Sequence, residues 1–380
     1  MKKLFYLGVI GVILYEIAKV YFIMPMPGSQ QMNSIDAAYF LHTWRWPLRI
    51  LFWAMIIAGG FAVFSGKMKW LGGILVLLAV GITYVTNFEM AADTMFYQPS
   101  QVIQHNAASN KVEMDRLVIG VEANGEAKAY PIQYIGYHHQ VRDSLGGKPI
   151  MVTYCTVCRT GRVFEPTVEG KPETFRLVGM DHFNAMFEDS ETGSWWRQVN
   201  GEAIAGPLKG KMLPELASTQ TSLSQWLKLH PDSKVMQPDP IYRATYDSMS
   251  RYESGRGKSA LTKTDTLPWK DKSWVVGIQA GGAAKAFDWN RLKKEHIINS
   301  QVGTVPVALV LSADHNSFFA FDKGINEAFT FRNDTIFTQT STHNLLGKRL
   351  TGTGNDLKRI NAYQEFWHSW RTFHPGTDQY

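Results

Sequence analysis

Val118-Ile-Gly-Val-Glu-Ala-Asn-Gly-Glu-Ala-Lys-Ala129 is a β-hairpin signal. Apolar residues alternate on both sides of Asn124-Gly125, the dipeptide that best accommodates a tight two-residue turn. The pattern returns without a gap 157 positions later, as Val275-Val-Gly-Ile-Gln-Ala-Gly-Gly-Ala-Ala-Lys-Ala286. Seven of the twelve positions are identical. At the same offset His139 matches His296, Gly146 matches Gly303, Pro149 matches Pro306 and Phe164 matches Phe321. Trp226-Leu-Lys-Leu-His-Pro231 and Trp370-Arg-Thr-Phe-His-Pro375 end the two stretches alike. Ordered matches of this kind predict a tandem duplication of one module.

Each copy has strand-rich α+β character. After the hairpin, Ile132–His139 predicts a short helix, and Pro149–Tyr154 a buried strand with Val305–Leu311 as its counterpart. Arg162–Glu165 and Thr174–Val178 continue as strands, and Ser222 is placed to cap a helix that His230-Pro231 ends. Arg243–Lys272, rich in Ser, Gly, Thr, Lys and Arg, is expected to be a loop or linker. Within it Gly255-Arg-Gly-Lys-Ser259 imitates the tail of a phosphate loop. The first glycine of that motif would fall on Tyr252, and no apolar strand precedes it, so nucleotide binding is rejected.

Three apolar runs precede the modules: Leu4–Met24, Leu48–Phe64 and Trp70–Phe88. Each is near the length that spans a bilayer, about 20 residues. No small-residue cleavage pattern ends the first, which predicts a retained anchor. Glu16 and Lys19 are unusual in such a span and are expected to snorkel or to face neighbouring helices. Lys2, Lys3, Lys67 and Lys69 fall on one side of a three-span anchor, so that side is expected to be cytoplasmic. Everything after about residue 88 then faces the periplasm or the cell exterior of a bacterial inner membrane. The expected organisation is an anchor at 1–89, module 1 at 90–242, a linker at 243–272 and module 2 at 273–380. The net charge of +6 belongs mostly to the anchor. Residues 1–88 hold seven Lys/Arg and two acids, which leaves about +1 beyond them. No basic field remains to bind nucleic acid; the membrane is the expected partner, and no protein partner can be named.

The two cysteines of the chain, Cys155 and Cys158, form a C-x-x-C motif after a predicted strand. Outside the cytoplasm such a pair is bridged, binds metal or does chemistry. Gly161 and a new strand follow, the layout of a metal knuckle rather than a helix-capped redox site. Position 159 is Arg, not the His of a haem-attachment motif. Two thiolates need further ligands. His139, just ahead of the strand, is the first candidate, and His182, with Asp181 and Met186, the next. Such a set suits copper or zinc. In the second copy Ser312 and His315 replace the cysteines while His296 is kept. His139 and His296 are therefore equally readable as turn-orienting residues. Trp195, Trp196 and Arg197 could line a pocket, although a turn followed by a core strand explains them as well. No nucleophile elbow, H-E-x-x-H or dinucleotide fingerprint is present.

Three stretches together resemble a bacterial family catalogued as domain of unknown function 3179. They are Gly120-Val-Glu-Ala-Asn-Gly-Glu-Ala-Lys-Ala-Tyr-Pro131, Pro149-Ile-Met-Val-Thr-Tyr-Cys-Thr-Val-Cys158 with Gly161, and Thr192-Gly-Ser-Trp-Trp-Arg-Gln198 with Gly201-Glu-Ala-Ile-Ala-Gly-Pro207. The resemblance covers most of residues 90–380 and implies an exported or membrane-anchored protein, but supplies no activity. Where the family shows His-Glu-Ile-Val-Asn-Asp, this chain has His138-His-Gln-Val-Arg-Asp143. The leading expectation is a transition-metal site at Cys155 and Cys158 with a nearby histidine. A thiol–disulfide enzyme on the same cysteines and a non-catalytic module with a structural disulfide are the alternatives.

Overall fold

The apolar N-terminal runs are helical in the computed structural model, which describes residues 1–324 and 327–380. The helices are α1 (Lys2–Tyr21), α2 (Ile35–Thr43), α3 (Arg45–Phe64), α4 (Lys69–Tyr84, continued by a π-helical turn to Glu89) and α5 (Ala92–Met95). Three of them, α1, α3 and the Lys69–Glu89 helix, are long and apolar enough to cross a membrane. Small residues let α1 and α3 approach closely. A Cβ on Gly59 would lie 2.5 Å from the Phe5 nitrogen, and one on Gly8 2.7 Å from the Phe52 carbonyl oxygen. Glu16 is fully buried between the helices. It accepts from Arg49 Nε at 2.5 Å and Nη2 at 3.0 Å, and from Asn87 Nδ2 at 3.0 Å. Lys19 completes the cluster at 3.4 Å. The polar residues of α1 are thus paired inside the bundle, the arrangement that keeps a charge tolerable in an apolar medium.

The chain divides into two compact units, and the first contains more than the helices. It comprises Met1–Tyr97, Glu173–Arg197 and Glu202–Met212. Its later segments form an antiparallel sheet in the order Ala203–Ala205, Trp195–Arg197, Asn184–Asp189, Phe175–Asp181. Val178, Met186, Trp195 and Ile204 of this sheet pack with Ile23, Ala38 and Tyr39. Met180 N donates to Ile23 O at 2.7 Å. Glu188 receives His42 Nε2 at 2.8 Å, Arg176 Nη2 at 2.6 Å and Trp195 Nε1 at 2.9 Å. Burial alone would raise its pKa; these donors and the Arg176 charge outweigh burial and hold it down at about 2.

The second unit comprises Gln98–Pro172, Gln198–Gly201 and Leu213–Tyr380. Its helices are α6 (Ile132–His138), α7 (Leu223–Leu229), α8 (Arg243–Glu253), α9 (Trp289–Glu295) and α10 (Trp367–Phe373). The opening hairpin pairs Leu117–Ala123 with Glu126–Pro131. Its turn puts Asn124 at φ 52° and Gly125 at φ 78°, the doubly left-handed conformation that selects Asn-Gly. Ser222 caps α7 by accepting from Gln225 N at 3.1 Å.

Corresponding segments pair alike. Leu117–Ala123 takes an antiparallel neighbour, Ser218–Ser222, and Glu126–Pro131 a parallel one, Lys234–Met236. Trp274–Ala280 takes Ala362–Phe366 antiparallel, and Ala283–Asp288 takes Asp378–Gln379 parallel. Gln140 faces Thr153 as Ile297 faces Val310, and Met151 faces Phe164 as Ala308 faces Phe321. The chain is thus α+β, with N-terminal helices followed by small sheets made mostly of antiparallel pairs.

One expectation fails locally. Part of the 243–272 stretch is helical, because Tyr246, Tyr252 and Glu253 of α8 share a buried face despite the polar composition. Tyr134 and Tyr246 meet there with ring centroids 4.6 Å apart.

Candidate functional site

Cys155 ends the strand Lys148–Cys155, and Thr160 opposite it opens the strand Thr160–Phe164. Residues 156–159 make the turn, closed by Arg159 in the left-handed region at φ 58°. Gly161 is required beside it, since a Cβ there would stand 2.6 Å from Ile119 Cδ1. Three successive turn carbonyls are held by distant residues. Thr156 O accepts from Tyr252 Oη at 2.9 Å. Val157 O accepts from Lys272 Nζ at 2.8 Å and His368 Nε2 at 3.0 Å. Cys158 O accepts from Phe366 N at 2.8 Å. A turn tied down on this scale is a preorganised element rather than a mobile loop.

Both cysteines are completely buried, and they are not disulfide-bonded. Burial pushes the Cys158 thiol well above its ordinary range; its hydrogen bond to Cys155, the charge of a Cys155 thiolate and the Glu365 carboxylate push it the same way, while the Ser369 hydroxyl opposes.

The surroundings are rich in buried cations. Arg159 donates to Gln364 Oε1 at 2.9 Å and to the Glu253 carbonyl oxygen at 2.8 Å, and stacks 3.4 Å from the Trp274 ring centroid. Arg162 pairs with the buried carboxylate of Glu365 at 2.8 Å and lies 3.1 Å over the Tyr363 ring. Glu365 also accepts from Thr160 Oγ1 at 2.9 Å and Ser369 Oγ at 2.8 Å. Lys272 lies 4.6 Å over Phe366. A cleft of about 520 Å³ opens along Asp265–Asp271, directly before Lys272.

The predicted metal ligands do not come together as a metal site. His139 ends α6 in the left-handed region, and its Nδ1–H donates to Tyr154 O at 3.0 Å. Burial lowers its pKa to about 4, so this imidazole is neutral at physiological pH. His296 takes the same conformation at φ 58°. His182 belongs to the first unit, where its ring nitrogens meet Asp181 Oδ1 at 2.6 Å and Asn33 Oδ1 at 3.1 Å; Met186 is a core residue there. Among the described residues no group of three His, Cys, Asp or Glu side chains could hold a metal ion. In the second half, Ser312 Oγ donates to Asp334 at 2.8 Å and the His315 ring packs against His296.

Trp195 and Trp196 are core residues whose indoles donate to Glu188 at 2.9 Å and Asp189 at 2.8 Å. Arg197 pairs with Asp181 at 2.6 Å and with Glu202 at 3.2 Å.

A family model described as protein of unknown function (DUF3179) matches residues 98–377. The chain belongs to the DUF3179 family. No curated protein and no solved structure matches it. The matched DUF3179 region contains both cysteines and every residue that ties down their turn. Sequence reasoning passed over Lys272, Gln364, Glu365, His368 and Ser369. One signal was available: Glu365 sets a charge directly before the aromatic run Phe366-Trp367 and Trp370.

Glu253 adds a pH handle to the DUF3179 domain. Its Oε1 accepts from Gln133 N at 3.0 Å and its Oε2 lies 3.7 Å from Arg116. Burial raises its pKa to about 7, against the opposing pull of Arg116. A carboxyl raised above its unfolded value binds its proton more tightly when folded. Its stabilisation is full below the unfolded pKa of 4.5 and is lost as pH rises through about 7. Glu253→Gln, held neutral, is expected to flatten the fall in urea midpoint between about pH 5 and 8. Parallel wild-type and variant curves would show that the carboxyl is ionised throughout.

Proposed function

We propose that Cys155 and Cys158 form a thiol–disulfide redox couple in a membrane-anchored protein whose second unit lies outside the cytoplasm. The observation that carries this reading is electrostatic. Two adjacent, fully buried sulfurs that are not bridged belong to a turn held by the buried ammonium of Lys272, and among the described residues no third metal ligand joins them. A buried ammonium on this turn favours a thiolate and opposes a bound cation. The exchange has two steps. Cys155 thiolate attacks a sulfur of a partner disulfide and expels one partner thiolate. Cys158 gives its proton to that leaving group, attacks Cys155 Sγ and releases the second partner thiolate. Two electrons pass to the partner and one disulfide is exchanged for another. Both sulfurs are buried, so the reaction proceeds through an opened form of the cover over the turn. Lys2, Lys3, Lys67 and Lys69 on one side of the helices support the orientation.

We also take the two halves of the second unit as copies of one module, supported by their common pairing and register. Loss of both cysteines from the second copy leaves it as scaffold for the first, to which it supplies Glu365 and His368.

The test uses the full chain in detergent, purified without chelator. Metal content, thiol count and equilibrium with thiol–disulfide buffers are measured on one sample. The expected result is a reversible two-electron couple, abolished in Cys155→Ser and Cys158→Ser. Stoichiometric copper or zinc that disappears in Cys155→Ser would replace this reading with the metal one. A pair that stays bridged below about −300 mV would make the disulfide structural.

A further inference from the structure

We infer that Lys272 is the counter-ion of the thiolate formed by the Cys155–Cys158 pair and thereby sets the reduction potential of the pair, an inference that rests on the redox reading above. Lys272 precedes the strand Trp274–Ala280 and is 9% exposed. Its Nζ donates to Val157 O, inside the C-x-x-C turn, at 2.8 Å, and lies 3.1 Å from His368 Nε2. Burial, aided by the Lys272 charge, lowers the pKa of His368 to about 4, so the ring is neutral and no counter-charge. The neighbouring carboxylates are engaged elsewhere. Asp271 pairs with Arg371 at 2.6 Å, and Asp265 Oδ2 accepts from the Lys272 backbone nitrogen at 3.0 Å. Among the described residues no carboxylate lies within ion-pair distance of the ammonium. Arg162, by contrast, has Glu365.

A buried ammonium with no opposite charge is expensive in a protein interior. Burial accordingly weakens the hold of Lys272 on its proton, and the charges that act most strongly to restore it are those of Cys158 and Cys155. The pair and the lysine thus complete each other: one supplies a buried cation, the other the anion it lacks. The consequence for redox balance has a fixed sign. A cation beside the thiolate stabilises the reduced form, so the disulfide becomes the more oxidising partner. Forming the disulfide consumes the thiolate and returns Lys272 to an uncompensated state.

The experiment measures the Cys155/Cys158 equilibrium of the full chain in detergent against defined glutathione buffers, with thiols trapped by alkylation and counted by mass. Lys272→Met is expected to shift the equilibrium about tenfold toward the disulfide, equivalent to about 30 mV. Lys272→Gln, which keeps a donor for Val157 O without the charge, is expected to shift it equally and covers the case of a misfolded Met variant. Lys272→Arg is expected to restore most of the wild-type value. A wild-type couple left unmoved in both neutral variants overturns the role of Lys272 and leaves the redox reading standing. A neutral Gln variant that behaves as wild type while Met alone shifts assigns Lys272 to packing and overturns its electrostatic role. No reversible couple in the wild type overturns the redox reading itself.

Discussion

Glu365→Ala is expected to destabilise the second unit by about 3–5 kcal/mol, the loss that follows when one partner of a buried ion pair is removed. The carboxylate is fully buried and serves three donors at once: Arg162, Thr160 and Ser369. Its removal leaves the Arg162 guanidinium charged, because an arginine does not shed its proton in a protein interior. What remains for Arg162 is Glu215 at 3.8 Å and the face of Tyr363. Glu365→Gln keeps the shape and part of the hydrogen bonding, and is expected to cost less. Pulse proteolysis of the full chain in urea reads both variants. A loss below about 1 kcal/mol in Glu365→Ala would mean that Glu215 and Tyr363 satisfy the arginine unaided. The same carboxylate joins the strand after the cysteines to α10, so local opening at the turn should rise with the destabilisation.

Gly277→Ala is the second large effect, and simple propensity gets its sign wrong. Alanine normally improves on glycine inside a strand by about 0.5–1 kcal/mol. Here a Cβ would stand 2.1 Å from the six-membered ring of Trp370. That indole is fully buried and its Nε1 donates to Thr377 Oγ1 at 2.8 Å. It also stacks on His374 with centroids 3.8 Å apart, so it has nowhere to move. Overpacking of this kind costs about 1–3 kcal/mol and more where nothing can yield; the upper end is expected. Gly120→Ala is expected to behave alike, with its Cβ 2.2 Å from Trp226. Trp370→Leu should recover part of the loss in Gly277→Ala, a coupling visible in a double-mutant cycle. Additive losses would place the strain elsewhere.

Local structure was legible in the sequence wherever neighbours in the chain decide it. Asn124-Gly125 dictates a left-handed turn, Ser222 supplies a cap, and three apolar runs specify helices. The helix α8 escaped because its buried face is built from tyrosines and a glutamate among serines and arginines. The site was half legible. The cysteines and their hairpin follow from spacing and from Gly161. The groups that tune them come from about 100 to 200 positions away, and composition carries no trace of which charge meets which turn. His139 was misleading for a related reason. A histidine beside a strand looks like a ligand until its left-handed backbone and its bond to Tyr154 are known.

The sheet of Phe175–Ala205 packs its apolar face on Ile23, Ala38 and Tyr39, within the same unit as the three long apolar helices. No single cut after residue 89 therefore yields a self-sufficient soluble piece. Such a truncation would strip Val178, Met186, Trp195 and Ile204 of their cover and present a sticky surface to solvent, an aggregation hazard. Separation from the N-terminal helices and exposure of that surface are a single event for this chain, so proteolytic shedding would send the released portion toward clumping and degradation rather than toward a free-diffusing life.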